Sequence, residues 1–284
     1  VARFESLDIV GTVGDDNILG ASSGNHLDGR DGNDVLRGGA SADTFEGGEG
    51  NDTITGYGGS DTASYASATT GVTIDLSLVS AQATGQGSDT LDGIENLIGS
   101  RFDDVLAGNW EVNQLIGGSG NDTYRVDSQA DLVFEHAGEG IDTIESSASF
   151  YIYANVENLT LSAGFFGVGN ELHNVIIGNN ASNLLIAGAG NDELHGGDGV
   201  DSLFGEDGGD TLHGDGGIDY LVGGQGDDSL DGGAHADALY GEDGDDYLDG
   251  GSSFDTDILV GGAGNDTLYG ISGQTNPDYD LMDG

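Results

Sequence analysis

The chain has no cysteine and no lysine, and only one proline, Pro277. Without cysteine there is no disulfide framework and no thiolate nucleophile. With arginine confined to Arg3, Arg30, Arg37, Arg101 and Arg125, no basic patch exists to hold nucleic acid or an anionic membrane. No apolar run approaches the 18 or so residues of a membrane span. The chain begins at Val1 with no signal-peptide pattern, and it ends at Gly284 where another repeat would start. It is expected to be a piece of a longer protein. Two things are present in excess. Glycine supplies 55 of 284 residues, against about 7% in ordinary proteins. Acid supplies 52 residues against five basic ones, for a formal charge of −47. Glycine and acid together ordinarily mean disorder. A hydrophobic content of 36% laid out with regular period points instead to disorder that ends when the acids are neutralised.

The period is nine, and the template is G-G-x-G-x-D-x-U-x with U large and apolar. Units start at Gly11, Gly20, Gly29, Gly38, Gly47 and Gly56, again at Gly99, Gly108 and Gly117, and then from Gly169 through Gly261. The unit at Gly250 carries two extra residues. The expected organisation is a first repeat block at 1–64, a β-rich connector at 65–98, a short block at 99–125, a second connector at 126–168 and a long roll at 169–284 that continues beyond the chain end. In the long block the eighth position is Leu185, Leu194, Leu203, Leu212, Leu221, Leu230, Leu239, Leu248, Leu259 and Leu268. One leucine in nine cannot line a helix face. It suits a three-residue strand whose central side chain points inward. The six residues before it form a turn, where glycine serves because φ is positive or backbones approach closely. Two units make one coil of a parallel β-roll, and each coil leans only on its neighbours. Such a core is thin. A buried leucine returns about 1.5–3 kcal/mol, while each of nine ordered residues costs about 1–2 kcal/mol of backbone entropy.

The sixth position supplies the remedy. It reads Asp16, Asn25, Asp34, Asp43, Asp52 and Asp61 in the first block, and Asp104, Asn113 and Asp122 in the middle one. In the long block it reads Asp192, Asp201, Asp210, Asp219, Asp228, Asp237, Asp246, Asp257 and Asp266. Stacking by eighteen residues sets Asp192 over Asp210 and Asp201 over Asp219 at one edge. Bare carboxylates so placed repel, and a hard cation between them converts repulsion into ligation. Calcium accepts six to eight oxygens from carboxylates and backbone carbonyls. Magnesium demands stricter geometry, and zinc prefers nitrogen and sulfur. All sixteen aspartates of these positions are therefore expected calcium ligands, for roughly ten ions. That many ions leave the net charge near −27, at +2 each, a surface that still repels nucleic acid.

Units such as GGEGNDTIT (47–55), GGSGNDTYR (117–125) and GGAGNDTLY (261–269) resemble the RTX family, the calcium-binding nonapeptide repeats of proteins exported by bacterial type I secretion. The resemblance implies an all-β fold, a right-handed parallel β-roll (a β-solenoid) extended by non-calcium β-coils. It implies binding by the sixth-position aspartate and early-loop carbonyls, folding after export, and an extracellular or cell-surface location. Departures matter residue by residue. Asn25, Asn113, Asn174 and Asn183 replace the aspartate and weaken or delete those sites. His235, Phe102 and Glu111 stand where the fourth-position glycine belongs, a departure from the calcium-loop pattern at those turns.

The connectors lack regular nonapeptides but read as strand, as in GVTIDLSL (71–78) and VENLTLS (156–162). They are expected to continue the roll without calcium turns. His195 and His213, eighteen apart in the ninth position, are expected to stack on an outer face, as a solvated pair or as a transition-metal site. The seventh and ninth positions give the long block one apolar face, carrying Ile186, Phe204, Val222, Tyr240 and Val260, and one polar face. The apolar face suits ordinary exposed strands, or packing against another domain of the same protein or a second roll. Carboxylate pairs abound but have the calcium role to explain them, so no catalytic residue is expected. The expected function is a non-catalytic calcium-dependent folding and secretion module. The alternatives are a structural segment of an adhesin or surface-layer protein, and an accessory module of a secreted lipase, protease or alginate epimerase.

Overall fold

Strands of three residues, each with its middle side chain buried, recur throughout the computed structural model, which describes residues 7–251 and 255–270. Among these residues every helix or strand element is a strand. This is the all-β roll that a single inward residue per nine requires: a side chain in, its two neighbours out, then a glycine turn. The backbone forms two compact units, at Val1–Asp142 and Thr143–Gly284. The last residues of the second, 271–284, lie outside the described residues, as does the expected continuation of the roll there.

In the first unit, Leu7–Val10, Asn25–Asp28, Thr44–Glu46, Thr62–Ser64, Asn96–Ile98, Gln114–Ile116 and Leu132–Phe134 form one parallel sheet. Asn17–Leu19, Val35–Arg37, Thr53–Thr55 and Ser88–Asp92 form a second, and Thr73–Asp75, Val105–Ala107 and Thr123–Val126 a third. Leu27, Leu36, Phe45, Ile54, Leu97, Leu106, Leu115 and Tyr124 fill the interior. In the second unit two parallel sheets share the work. One stacks Leu159, Ile176, Leu194, Leu212, Leu230 and Leu248, and the other Leu185, Leu203, Leu221 and Leu239. All of these are fully buried. Leu259 and Leu268 are half-buried in the last described coil.

The connectors continue the roll, as their alternation predicts. Register runs through them without breaking: Ile54 pairs with Leu91, Ala63 with Leu97 and Ile74 with Leu106. In the second unit Ile144 pairs with Leu159 and Gly167 with Leu185. One departure from parallel pairing is the short hairpin in which Ala83 meets Ser88.

The turns explain the glycines. Gly199, at the fourth position, has φ +142°, and a methyl there would lie 3.0 Å from the Ala181 carbonyl oxygen of the coil before. Coil spacing of a sheet, about 4.8 Å, leaves no room for a Cβ between stacked turns.

Candidate metal centres

Side chains of the sixth position form lines along the edges of the roll. After the first member of each line, Oδ1 accepts the backbone N–H of the sixth-position residue one coil earlier. Asp192 donates to Asp210, Asp210 to Asp228 and Asp228 to Asp246, at 2.8–2.9 Å. On the alternate edge Asp201 donates to Asp219 and Asp219 to Asp237, both at 2.8 Å. In the first unit Asp16 donates to Asp34, Asp34 to Asp52, and Asp43 to Asp61. The short block runs Asp104 to Asp122. Asp257 and Asp266 are the last members of the lines among the described residues, taking bonds from Asp237 and Asp246 at 3.0 and 3.1 Å. The spacing of eighteen thus fixes one carboxylate above another, with one oxygen of each committed to the backbone.

The second oxygen divides these residues. Oδ2 of Asp34, Asp52, Asp61, Asp122, Asp192, Asp201, Asp210, Asp219, Asp228, Asp237 and Asp246 is buried and accepts no hydrogen bond. It points into the glycine turn. A methyl on Gly196 would meet Asp201 Oδ2 at 2.6 Å and the Gly214 carbonyl oxygen at 2.9 Å, so carboxylate and carbonyl oxygens converge there. Burial pushes the carboxyls of Asp52, Asp122, Asp228 and Asp237 up to about 7. It pushes those of Asp61, Asp201, Asp210, Asp219 and Asp246 up to about 6. Asp34 and Asp192 rise for the same reason. An ionised carboxylate held out of water without a donor is costly. A hard cation at that oxygen removes the cost, and an all-oxygen donor set suits calcium or magnesium rather than zinc.

The first member of each line is closed from within. Asp16 Oδ2 accepts the N–H and hydroxyl of Thr12, at 2.6 and 2.9 Å. Asp104 takes the Ser100 N–H on Oδ2 and the Ser100 hydroxyl on Oδ1. The asparagines also start lines, and their amides replace a cation with an N–H. Asn113 donates to the Glu95 carbonyl at 2.9 Å, Asn174 to Glu157 at 3.0 Å and Asn183 to Gly164 at 3.4 Å. Asn25 donates to the Ala21 carbonyl and to Asp43 Oδ1. Asp43 is a later member that is also closed, since its Oδ2 accepts the Gly39 N–H at 2.7 Å. At Asp34, Asp122, Asp192 and Asp201, each the second member of its line, Oδ2 is unpaired. His235 keeps the turn at its fourth position by adopting φ +86°, and Asp237 Oδ2 stays unpaired there.

Three sixth-position aspartates inside the connectors join these lines. Asp89 in TGQGSDTLD (84–92), Asp131 in VDSQADLVF (126–134) and Asp142 in the lengthened unit EHAGEGIDTIE (135–145) accept the N–H of Asp52, Asn113 and Asp122. The core G-x-G-x-D survives at 85–89 and 138–142 and was the available signal; the missing first glycine hid it. Asp89 is closed by the Thr84 and Tyr65 hydroxyls, and Asp131 by the N–H groups of Asp127 and Ser128.

His195 and His213 stack, with ring centroids 4.7 Å apart and planes 12° from parallel. Glu193 Oε1 lies 2.8 Å from His195 Nε2. On the apolar face, Tyr220 approaches Phe204 and Tyr240 with centroids at 6.0 and 5.3 Å.

Two comparisons bear on these sites. The family described as RTX calcium-binding nonapeptide repeat (4 copies) matches residues 10–45, 37–64, 89–124, 168–203, 177–212, 213–248, 222–257 and 253–273, well over half of the chain. The endo-1,3-1,4-beta-glycanase ExsH of Rhizobium meliloti (strain 1021) is similar over 96 residues at 41% identity. That stretch is 33% of this chain and only 19% of the glycanase.

Proposed function

The chain belongs to the RTX calcium-binding nonapeptide-repeat family, and on that premise we propose that calcium is the switch between an unfolded and a folded module of an exported protein. The observation that carries the reading is the row of buried carboxylate oxygens without donors. With a net charge of −47 and a core of one side chain per turn, the ion-free chain repels itself. At extracellular calcium, roughly 10⁻⁴–10⁻³ M, ions between successive turns reverse that balance. A chain unfolded at cytosolic calcium and rigid outside the cell serves export, folding and extracellular interaction.

The ions, roughly ten, are assigned to the lines of unpaired oxygens: Asp34, Asp52, Asp61 and Asp122, and Asp192 through Asp246 in steps of nine. Asp257 and Asp266 extend the same lines. Asp16, Asp43 and Asp104 lend at most carbonyls and charge, because their carboxylates already hold donors. The module itself is non-catalytic. Its similarity to a fifth of a glycanase favours an accessory module of an exported enzyme over an adhesin segment.

Far-UV circular dichroism during a calcium titration, with magnesium as control, tests this. A cooperative coil-to-β transition at 0.1–1 mM calcium, absent with magnesium, is expected. A β signal that persists in chelator at neutral pH defeats the switch.

The half-buried face of Ile186, Phe204, Val222, Tyr240 and Val260 is assigned to packing against another domain of the same protein. Phe204→Asp with Tyr240→Asp is expected to abolish that association, read by sedimentation, while the calcium-loaded β signal stays. A double variant unchanged in assembly and stability removes the assignment, and loss of self-association instead identifies a second roll.

A further inference from the structure

Position one of the repeat faces the unpaired oxygen. A methyl at Gly214 would meet Asp219 Oδ2 at 2.7 Å and the Gly232 carbonyl oxygen at 2.6 Å, so any side chain there lands among the ion's own ligands. The chain contains two informative occupants. Thr84 puts a donor in that place: its hydroxyl bonds Asp89 Oδ2 at 2.6 Å and closes the turn. Glu135 puts an acceptor there. It precedes Asp142 by seven residues, as Gly250 precedes Asp257 in the other lengthened unit.

Glu135, Asp122 and Asp142 are all buried, and each brings one carboxylate oxygen within 4.8 Å of the others. Two of them are stacked sixth-position residues, with Asp122 N–H bonded to Asp142 Oδ1. Asp122 is 1% exposed, and its Oδ2 accepts no hydrogen bond. Tyr124, which replaces the usual eighth-position leucine, is fully buried and donates its hydroxyl to Glu135 Oε1. That bond fixes the carboxylate that no repeat turn possesses.

We propose that Asp122, Glu135 and Asp142 form a three-carboxylate calcium site that binds more tightly than the repeat turns, with Tyr124 as its positioning residue. An ordinary turn places the ion between two stacked aspartates and neutral carbonyls. Here a third negative ligand is added, and ligand charge is a main determinant of calcium affinity. The proposal rests on the calcium reading of the turns and adds one site of different strength. A trivalent ion of calcium-like preference gains still more from the third charge, which makes terbium a suitable probe, and Tyr124 is the natural sensitiser beside it.

The test adds terbium chloride to the calcium-loaded full chain and reads tyrosine-sensitised emission. The expected result is a first phase that saturates near one equivalent, at least tenfold tighter than the exchange that follows. Glu135→Gln is expected to erase the first phase and leave the rest. Glu135→Gly restores the repeat's own residue, keeps the coil folded and should erase it equally, should the glutamine variant fold poorly. Tyr124→Phe should dim the first phase most. Equilibrium dialysis with calcium alone separates the two readings. If the wild type takes up calcium but both Glu135 variants keep the tight phase, the composite site is wrong and the calcium roll stands. If the wild type takes up no calcium, both fall.

Discussion

In chelator the chain is expected to lose its β signal at pH 8 and to regain a substantial part of it by pH 5. The carboxyls of nine line aspartates stand at about 6 to 7 in the folded chain, pushed up by burial from an ordinary value of 3.8. A raised folded value means that the folded state prefers the proton. The stability so gained is fully present below about pH 4 and is lost as pH rises through 6 to 7. Above that range every unpaired carboxylate must be buried charged, and the thin core cannot meet the cost. Exposed acids titrate near 4, so relief of general self-repulsion falls mostly below pH 5, and a change between pH 5 and 8 reports the buried lines. Calcium reverses the sign, because proton and ion compete for the same oxygen. The calcium midpoint should therefore move to higher concentration as pH falls from 8 to 6. Circular dichroism over a grid of pH and free calcium checks both halves. Equal β content at pH 5 and pH 8 in chelator, or a midpoint that ignores pH, contradicts the lines as drawn.

The same lines show why some of this molecule is legible in its sequence and some is not. The nine-residue period sets both the inward side chain and the carboxylate stack, so Leu203 over Leu221 and Asp201 over Asp219 follow from counting. The roll through the connectors also follows, because alternation survives there when glycine does not. Three things resist counting. A single change at position one hides the units of Asp89 and Asp142, although both stack like the rest. Two-residue insertions shift the spacing to twenty while the backbone absorbs them, as between Asp237 and Asp257. Closure of a turn depends on which way a hydroxyl or amide points. Thr12 and Ser100 stand at the second-position glycine of the template and close Asp16 and Asp104 by N–H and hydroxyl donors; the template shows the glycine replaced but not where the new donors point. The asparagines are weakened sites in sequence. In three dimensions Asn25, Asn113, Asn174 and Asn183 are starts of lines, where an amide does the work that an ion does further along.

Asp219→Asn is expected to change stability in opposite directions with and without calcium. Asp219 sits mid-line with 2% exposure. Its Oδ1 accepts the Asp201 N–H, its own N–H goes to Asp237 Oδ1, and its Oδ2 is unpaired. The asparagine side chain keeps its Oδ1 and hence the bond to Asp201, so the coil spacing survives. The natural asparagines show that the turn admits an amide; Asn183, two coils before Asp219, donates its backbone N–H to Asp201 Oδ1 as an aspartate there would. What disappears is one negative ligand shared by the turns on either side. An ion at tenfold its Kd contributes about 1.4 kcal/mol, so losing one or two ions costs about 1.4–3 kcal/mol in calcium. In chelator at pH 8 the same change removes a buried charge that burial has already pushed up to about 6, and the variant should be the more stable protein. Asp219→Ala separates the two effects. It loses the charge and also the bond to Asp201, leaving a buried N–H unpaired at about 1–3 kcal/mol, so it should lie below the asparagine variant under both conditions. Urea unfolding of the three proteins at 10 mM calcium, and circular dichroism in chelator, reads the order. An asparagine variant as stable as wild type in saturating calcium would mean that Asp219 holds no ion, and that the unpaired oxygens are protonated rather than ligated.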